Sequence, residues 1–158
     1  MAKASSRERV AKAAEAAGLD LTLIEMPEST RTAQEAAQAC GCSVGQIVKS
    51  LVFHDLHADL LVLLLVAGDN QVDISAFAKR TGIELQRADA RRVRAETGFA
   101  IGGVAPIGHL TPLSTYMDQD LMGREVLYAA GGSPRTVFAI SPHQLIAASG
   151  AAVVKVTA

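Results

Sequence analysis

The chain is poor in the residues that stabilise small secreted domains or build metal sites. Its 158 residues include no Trp, two Tyr, four Phe and only two Cys. Cys40 and Cys42 are separated by a single residue, so a disulfide between them would be strained, and there is no second pair for a zinc site. We therefore expect two free thiols in a reducing, cytoplasmic setting, and neither a metal nor a cofactor.

An excess of positive charge is also absent. The formal net charge is −1, which excludes a globally positive surface of the kind that holds nucleic acid regardless of sequence. Any contact with RNA must then come from a local patch. The densest basic region consists of Lys79, Arg80, Arg87, Arg91, Arg92 and Arg94. It is either such a patch or a solvated helix face paired with nearby acidic side chains.

Long hydrophobic segments are missing as well. The longest apolar run, Leu60–Ala67, is too short to cross a bilayer and indicates a buried strand. Residues 1–10 are polar and do not resemble a secretory signal. We therefore expect no membrane partner.

Aliphatic side chains are abundant. Apolar residues make up 49% of the chain, and because aromatics are scarce the core must consist of Val, Leu, Ile and Ala. A chain of this length can bury such a core as one unit, so we expect a single domain over residues 1–158.

Capping residues and glycines punctuate a series of β-rich runs. Helix starts are predicted at Ser5, Thr32, Asp73, Asp89 and Ser141, and helix ends at Gly18, Gly41, Gly82, Gly98 and Gly150. Strands are predicted at 21–25, 48–54, 60–66, 113–117, 125–129, 136–140 and 152–156. Because the two kinds of element alternate irregularly, the pattern predicts an α+β fold with a mixed, mostly antiparallel sheet flanked by short helices.

Lys49 is the first candidate for chemistry. Alternation along its strand places it on the same face as Leu51 and Phe53. Either its stem lies on apolar surface while the amine reaches water, or this face opens into a polar pocket. The residues alone favour the first explanation, because charged side chains are mostly exposed.

Two turns are further candidates. Residues 103–108 combine glycine with Pro106 in a stiff turn whose N–H groups could face a developing oxyanion, although an ordinary rigid loop has the same composition. The turn 131–134 could line a pocket through Ser133 or simply connect two strands. The four histidines form no metal-ligand set.

Taken in order, several segments resemble the YbaK/ProX family of aminoacyl-tRNA editing domains. They are residues 27–30, 32–37, 46–53, 72–79 and 103–108, the last matching the GxxPxG pattern of the family. The resemblance covers almost the whole chain and favours a functional role for Lys49. It implies that the α+β fold contains a barrel-like sheet.

The resemblance implies hydrolysis, in trans, of the ester that joins a wrong amino acid to the terminal adenosine of a tRNA. The expected substrate is a tRNA(Pro)-type or related molecule carrying a small amino acid such as Ala, Cys, Ser or Thr. The acceptor end of the tRNA is the expected partner, and an aminoacyl-tRNA synthetase is a second candidate. The predicted residues are Lys49, Gly103 and Gly108 for catalysis, Thr32, Pro106, Gly131, Gly132 and Ser133 for substrate binding, and Lys79, Arg80, Arg91, Arg92 and Arg94 for RNA contact.

In this interpretation Lys49 is a protonated clamp rather than a nucleophile, because a free lysine amine has a pKa of about 10.4. N–H groups near Gly103 and Gly108 would stabilise the oxyanion while water attacks. The resemblance suggests that a ribose hydroxyl of the substrate helps to activate the water. Two other functions stay open: a Schiff-base enzyme with an unprotonated Lys49, and a non-catalytic module that binds aminoacyl-tRNA or a synthetase.

Overall fold

The computed structural model describes residues 5–30 and 32–158. Within these ranges the helices are α1 (Ser6–Ala16), α2 (Ala33–Cys40), α3 (Ile74–Thr81), α4 (Ala90–Thr97) and α5 (Pro142–Ser149). The strands are β1 (Ile24–Glu25), β2 (Val48–Asp55), β3 (Leu60–Ala67), β4 (Leu85–Arg87), β5 (Ser114–Asp118), β6 (Leu127–Ala130), β7 (Thr136–Ile140) and β8 (Ala152–Val154). Short 3-10 segments lie at Val44–Gln46 and Gln119–Gly123.

The described strands form two sheets. The larger sheet has the order β4-β2-β3-β5-β8, and the smaller has the order β1-β7-β6. Every pair is antiparallel except β3 with β5 and β5 with β8. The predicted α+β class with mixed, mostly antiparallel pairing is confirmed.

The barrel-like sheet implied by the resemblance is not confirmed. The two sheets stay open, because β4 and β8 lie at the edges of the larger sheet and β1 and β6 at those of the smaller. The sheets are joined by a bridge between Ile47, just before β2, and Tyr128 in β6. A gap is left beside this junction, and the candidate site lies there.

The strand β3 is buried on both faces. Leu63 and Leu65 pack into the main core, which includes residues of the smaller sheet. Val62 and Leu64 pack on the opposite face against Phe77 of α3. A strand covered on both faces is expected to be a continuous apolar run rather than an alternating one, which explains its composition.

Helix boundaries follow the predicted caps. Thr32 and Ser141 each accept a hydrogen bond from the main-chain N–H three residues on, and the side chains of Glu35 and Gln144 accept one from the cap N–H in return. At Ser5 half of the predicted capping box is described, since its hydroxyl accepts from the N–H of the residue three positions later. These local bonds satisfy N–H groups that a helix start would otherwise leave unpaired.

Strand boundaries differ more from the prediction. The segment 21–25 is a strand only at Ile24–Glu25, and Leu85–Arg87 has no predicted counterpart. The second of these strands pairs with the end of β2, where Phe53 lies opposite Arg87. Its geometry therefore comes from pairing with a distant strand rather than from a pattern of its own.

The helix α1 lies against turns that are distant in the sequence. The guanidinium of Arg9 donates to the carbonyl of Gly98 at 2.6 Å and to that of Gly108 at 3.3 Å, and it lies 5.1 Å from the centroid of Phe99. A Cβ on Gly108, whose φ is +85°, would lie 3.0 Å from the main chain of Arg9. Glycine is therefore required at position 108 by the packing of α1.

Cys40 and Cys42 are free thiols, as predicted. Burial, with a smaller contribution from Cys42, raises the pKa of Cys40 to about 11, and burial also raises the pKa of Cys42. Both sulfurs are therefore poor nucleophiles near neutral pH.

In the ranges that the structure describes, no helix is long and apolar enough to cross a membrane.

Candidate functional site

A cavity of about 270 Å³ opens where the two sheets meet. We call it the inter-sheet cavity. Its walls are the start of α2, the start of β2, the turn 101–104 and the end of β6. It brings together Lys49 and Gly103, two predicted residues that are distant in the sequence.

Lys49 occupies the second position of β2, opposite Val66 of β3. Its Nζ donates a hydrogen bond of 2.5 Å to the main-chain carbonyl of Asn70. Partial burial lowers the pKa of Lys49 below its ordinary value of 10.5, while the carboxylates of Asp69 and Asp118 act to raise it. An ammonium group carries three donors, so two are left for a ligand.

Sequence reasoning does not identify Asp118, the buried carboxylate behind this lysine. Asp118 ends β5 and is only 1% exposed. Its Oδ2 accepts from the N–H of Ala67 at 3.1 Å and from Nδ2 of Asn70 at 2.8 Å, and its Oδ1 accepts from the N–H of Asp120 at 3.0 Å. In the sequence Asp118 directly follows a β-rich run. A carboxylate at such a position is usually expected to be exposed to solvent, so this signal does not indicate a buried residue.

The turn 101–104 exposes main chain to the cavity. The N–H of Gly103, a predicted oxyanion donor, already donates to the carbonyl of Ala100 at 2.8 Å. The N–H groups of Gly102 and Val104 have no hydrogen-bond partner among the described residues. Of Gly103 and its two chain neighbours, only Gly103 has its N–H paired among the described residues.

Neither glycine of this turn is required by the fold. A Cβ on Gly102 would meet nothing within 4 Å, and one on Gly103 would meet only the carbonyl of Ala100, at 3.9 Å. Neither residue has a φ in the left-handed region. The space beside them is therefore open to a ligand that approaches the main chain closely.

The second half of the predicted turn lies elsewhere. Pro106 and Gly108 line a separate cavity of about 210 Å³ beside α1 and α5. Within this part of the turn, Nε2 of His109 donates to the carbonyl of Ala105 at 2.8 Å, and burial lowers the pKa of His109. The structure thus brings Gly103 to Lys49 but places Pro106 and Gly108 outside the inter-sheet cavity, because the chain turns away beneath α1.

A second cavity of about 390 Å³ adjoins the first. We call it the adjoining cavity; Gly102 and Gly103 line both. Arg94 of α4 also lines it, as do Gly132 and Ser133 of the turn 131–134. The two cavities therefore meet at the open glycine main chain.

The remaining predicted binding residues have partners within the fold. Gly131 lines neither cavity; its N–H donates to the carbonyl of Thr136 at 2.8 Å. The hydroxyls of Ser133 and Thr136 lie 2.5 Å apart. Thr32 lines the inter-sheet cavity, while its hydroxyl accepts the N–H of Glu35 at 3.1 Å.

The basic residues predicted to contact RNA fall into two groups. Arg92 pairs with Asp59 at 2.9 Å and with Glu96 at 2.5 Å, and Arg80 donates to main-chain carbonyls near the end of the chain. These two guanidinium groups hold elements of the fold together. The others make no hydrogen bond or ion pair within residues 5–30 and 32–158, namely Lys79, Arg91 and Arg94.

Ser50 is a further cavity residue that sequence reasoning does not identify. Its hydroxyl oxygen is buried and has no hydrogen-bond partner among the described residues. Leaving a buried polar group unpaired costs roughly 1–3 kcal/mol.

The described residues contain no group of three or more His, Cys, Asp or Glu side chains that could hold a metal ion.

The chain is similar to tRNA-editing proteins over most of its length. The family model "Aminoacyl-tRNA editing domain" matches residues 27–148, which include Lys49 and the turn 101–104. A crystal structure of "a putative trans-editing enzyme for prolyl tRNA synthetase" is 46% identical, superposes with a TM-score of 0.90, and the match covers 99% of each chain.

Two further proteins are related in sequence. The uncharacterized protein YwhH of Bacillus subtilis (strain 168) is 30% identical over 121 residues, which are 77% of this chain and 76% of YwhH. The proline–tRNA ligase of Thermosipho africanus (strain TCF52B) is 33% identical over 81 residues, which are 51% of this chain and 14% of the ligase. With the family model matching most of its residues, the chain belongs to the aminoacyl-tRNA editing domain family of YbaK type, as the resemblance predicted.

Proposed function

We propose that this protein hydrolyses the ester bond of a mischarged tRNA in trans, with the amino acid bound in the inter-sheet cavity. The observation that carries the proposal is that Lys49 and the open main chain at Gly102 and Gly103 line one cavity. Membership of the editing-domain family supports the reaction class. The likeness to the prolyl-tRNA-related structure supports a tRNA(Pro)-type substrate.

The inter-sheet cavity favours an amino acid with a small, uncharged side chain. It measures about 270 Å³, and four of its described lining residues are alanines, namely Ala33, Ala36, Ala129 and Ala130. Lys49 is the one charged side chain among the described lining residues. A difference of one methylene group between two amino acids changes their binding free energy in such a pocket by only about 1–3 kcal/mol. Because this discrimination is small, Ala, Cys, Ser and Thr are all candidate substrates.

Lys49 acts through its charge. The carboxylates of Asp69 and Asp118 favour the protonated amine, and its two remaining N–H bonds are donated to the ester carbonyl or to a ribose oxygen. The N–H groups of Gly102 and Val104 are the donors for the oxyanion, where main-chain dipoles stabilise the transition state without reorganising.

The reaction consumes one water molecule. The water oxygen attacks the ester carbonyl carbon, and the carbonyl electron pair moves onto its oxygen to give a tetrahedral oxyanion. This intermediate collapses by breaking the bond to the ribose oxygen, which takes up a proton, so the products are a free amino acid and an uncharged tRNA. No Asp, Glu or His is among the described residues that line the cavity, so we assign the activation of water to a ribose hydroxyl of the substrate.

An aminoacyl ester of adenosine needs a second binding region beside the first. The adjoining cavity, of about 390 Å³, shares Gly102 and Gly103 with the inter-sheet cavity. Arg94 lines it and has no partner among the described residues, so its guanidinium is available for a phosphate. We therefore assign the terminal adenosine to the adjoining cavity, with the ester carbon at the shared turn.

A deacylation panel tests the proposal. tRNA(Pro) charged with Ala, Cys, Ser, Thr or Pro is incubated with the protein, and loss of ester is followed over time. We expect hydrolysis of at least one small mischarged amino acid and none of Pro-tRNA(Pro). Lys49→Ala should lower kcat/KM by on the order of 10²–10³, as loss of a transition-state donor does.

Lys12→Ala is the matched control, because Lys12 is exposed on α1 and lines neither cavity. It should hydrolyse at the wild-type rate. Failure of the wild-type protein to deacylate any tRNA of the panel would replace the proposal with a non-catalytic binding module. Equal rates for the wild type and Lys49→Ala would remove Lys49 from the mechanism.

A further inference from the structure

We propose that Asp118 is a positioning residue for Lys49, an inference that rests on the proposed function because it concerns the same lysine. The two side chains are not hydrogen-bonded to each other. Asp118 instead holds Asn70, and the main-chain carbonyl of Asn70 accepts the hydrogen bond of the Lys49 amine. Asp118 thereby fixes the direction of that amine, and its negative charge, together with that of Asp69, favours the protonated form.

Both oxygens of the Asp118 carboxylate are needed as acceptors. They receive hydrogen bonds from the N–H of Ala67, the side-chain amide of Asn70 and the N–H of Asp120. A side-chain amide has one acceptor oxygen and an NH2 group that would face one of these donors. Asp118→Asn therefore keeps the size of the side chain and loses part of the network.

Asn70 passes the constraint on to the lysine. Its side-chain amide donates to Asp118 and to Asp120, at 2.8 Å each, and its N–H donates to the carbonyl of Ala67 at 2.9 Å. Because both the side chain and the main chain of Asn70 are held, its carbonyl has one orientation. That carbonyl fixes Nζ of Lys49 at 2.5 Å.

The charges near Lys49 give Asp118 a second effect. Asp69 and Asp118 are the carboxylates that raise the pKa of Lys49, whereas burial lowers it, and the carboxylate of Asp120 is hydrogen-bonded to Asn70. The guanidinium of Arg124 and the carboxylate of Asp69 both lie against Gly45. Without the charge of Asp118, Asp69 is the main group left to raise the pKa of Lys49, and burial then lowers that pKa further.

The test compares the wild type with Asp118→Asn and Asn70→Ala. Asp20→Asn, at an exposed position remote in sequence from this network, is the matched control. Values of kcat and KM are measured against pH with the mischarged tRNA that the wild type deacylates fastest, after subtraction of spontaneous hydrolysis. The pKa of Lys49 is measured separately by NMR titration of labelled lysine side chains, and thermal unfolding reports the fold.

Asp118→Asn should lower kcat at least about tenfold with a smaller effect on KM, the size expected for one charge-assisted hydrogen bond. Lys49 is active when protonated, so activity is lost as pH rises through its pKa. A lower pKa therefore moves the alkaline limb of the Asp118→Asn profile to lower pH. Asn70→Ala should lower kcat with a smaller shift of that limb, because both carboxylates keep their charge.

A wild-type kcat together with a wild-type Lys49 pKa in Asp118→Asn would overturn the inference. Should Asp118→Asn fail to fold, Asn70→Ala decides, and an unchanged kcat in that variant would overturn it equally. Absence of deacylation by the wild type would reject the proposed function alone, because the NMR titration still shows whether Asp118 controls the Lys49 amine.

Discussion

Gly103 and Gly108 belong to one short motif, yet they are glycines for different physical reasons. Gly108 has a φ of +85°, and a Cβ there would lie 3.0 Å from the main chain of Arg9. Gly103 has no such φ, and a Cβ there would meet only the carbonyl of Ala100, at 3.9 Å. Gly108 is therefore required for the packing of α1, whereas Gly103 leaves open space beside the cavities.

The variants Gly103→Ala and Gly108→Ala should therefore separate activity from stability. Gly103→Ala should change the free energy of unfolding by less than about 0.5 kcal/mol and slow deacylation at least about tenfold, because the methyl group would occupy space beside the position proposed for the ester. Gly108→Ala should lose about 1–3 kcal/mol of stability, since its φ is strained for any side chain. Thermal unfolding and the deacylation rate are measured in parallel. A wild-type rate for Gly103→Ala would exclude close approach of the substrate to this residue.

The sequence predicts some of the site residues and misses others for identifiable reasons. Lys49 and Gly103 were predicted through the family resemblance, because the residues alone favoured an exposed lysine and were equally compatible with an ordinary rigid loop. The placement of Pro106 and Gly108 outside the inter-sheet cavity could not be predicted, because it depends on how α1, from the start of the chain, packs against this turn. Asp118 was missed because two of its three donors are on β3 and on the turn that follows β3, and such distant partners are known only once the strands are paired.

The helix α4 presents two kinds of arginine. Arg91 and Arg94 are three positions apart, lie on the same side of the helix and have no partner among the described residues. Arg92 instead bonds Glu96 one turn along and reaches the hairpin between β2 and β3, where it pairs with Asp59. The face of α4 that carries Arg91 and Arg94 is therefore available to a polyanion. The face that carries Arg92 is bonded to other parts of the fold.

Arg94→Gln should weaken tRNA binding without affecting the fold. We expect a higher KM and a decrease of about 0.7–0.9 in the slope of log affinity against log salt, the amount that one lost phosphate contact contributes. Arg92→Gln is the comparison, and it should lower the unfolding temperature while leaving the salt slope unchanged. Binding titrations at several salt concentrations check both. Equal salt slopes for Arg94→Gln and the wild type would place the RNA elsewhere.

Helices could be predicted better than strands. The boxes at Thr32–Glu35 and Ser141–Gln144 act within one turn, so the local sequence is sufficient to locate the helix starts. The strand Leu85–Arg87 has only three residues and exists because it pairs with the end of β2. Such edge pairing depends on tertiary structure, and no periodicity in three residues can indicate it.

At the scale of the whole molecule, the inter-sheet cavity depends on two sheets that meet without closing. Mixed pairing was predictable from composition and pattern, but an open junction was not, because closure depends on which distant strands become neighbours. The bridge between Ile47 and Tyr128 fixes one side of this junction. The helix α1 packs against Gly108 and Gly132, where an added Cβ would lie 3.0 and 2.7 Å from helix main-chain atoms.

Arg9 connects this helix to the main chain on both sides of the turn 101–104. Its guanidinium donates to the carbonyls of Gly98 and Gly108. Arg9→Ala should lower the free energy of unfolding by roughly 1.5–3 kcal/mol, the range for hydrogen bonds to a charged group. It should also lower kcat/KM, although Arg9 lines neither cavity, because the turn to which we assign the oxyanion donors loses its anchor.

Arg7→Ala is the matched control, since Arg7 is exposed on the same helix, and it should behave as the wild type in both measurements. Arg9→Lys should recover only part of the loss, because an ammonium lacks the fork geometry with which a guanidinium bonds two separated carbonyls. Chemical denaturation and deacylation assays of the three variants, at a temperature where all are folded, separate the two effects. A destabilised Arg9→Ala variant with a wild-type kcat/KM would mean that α1 is needed for folding alone, and that the geometry of the turn is set by the sheets.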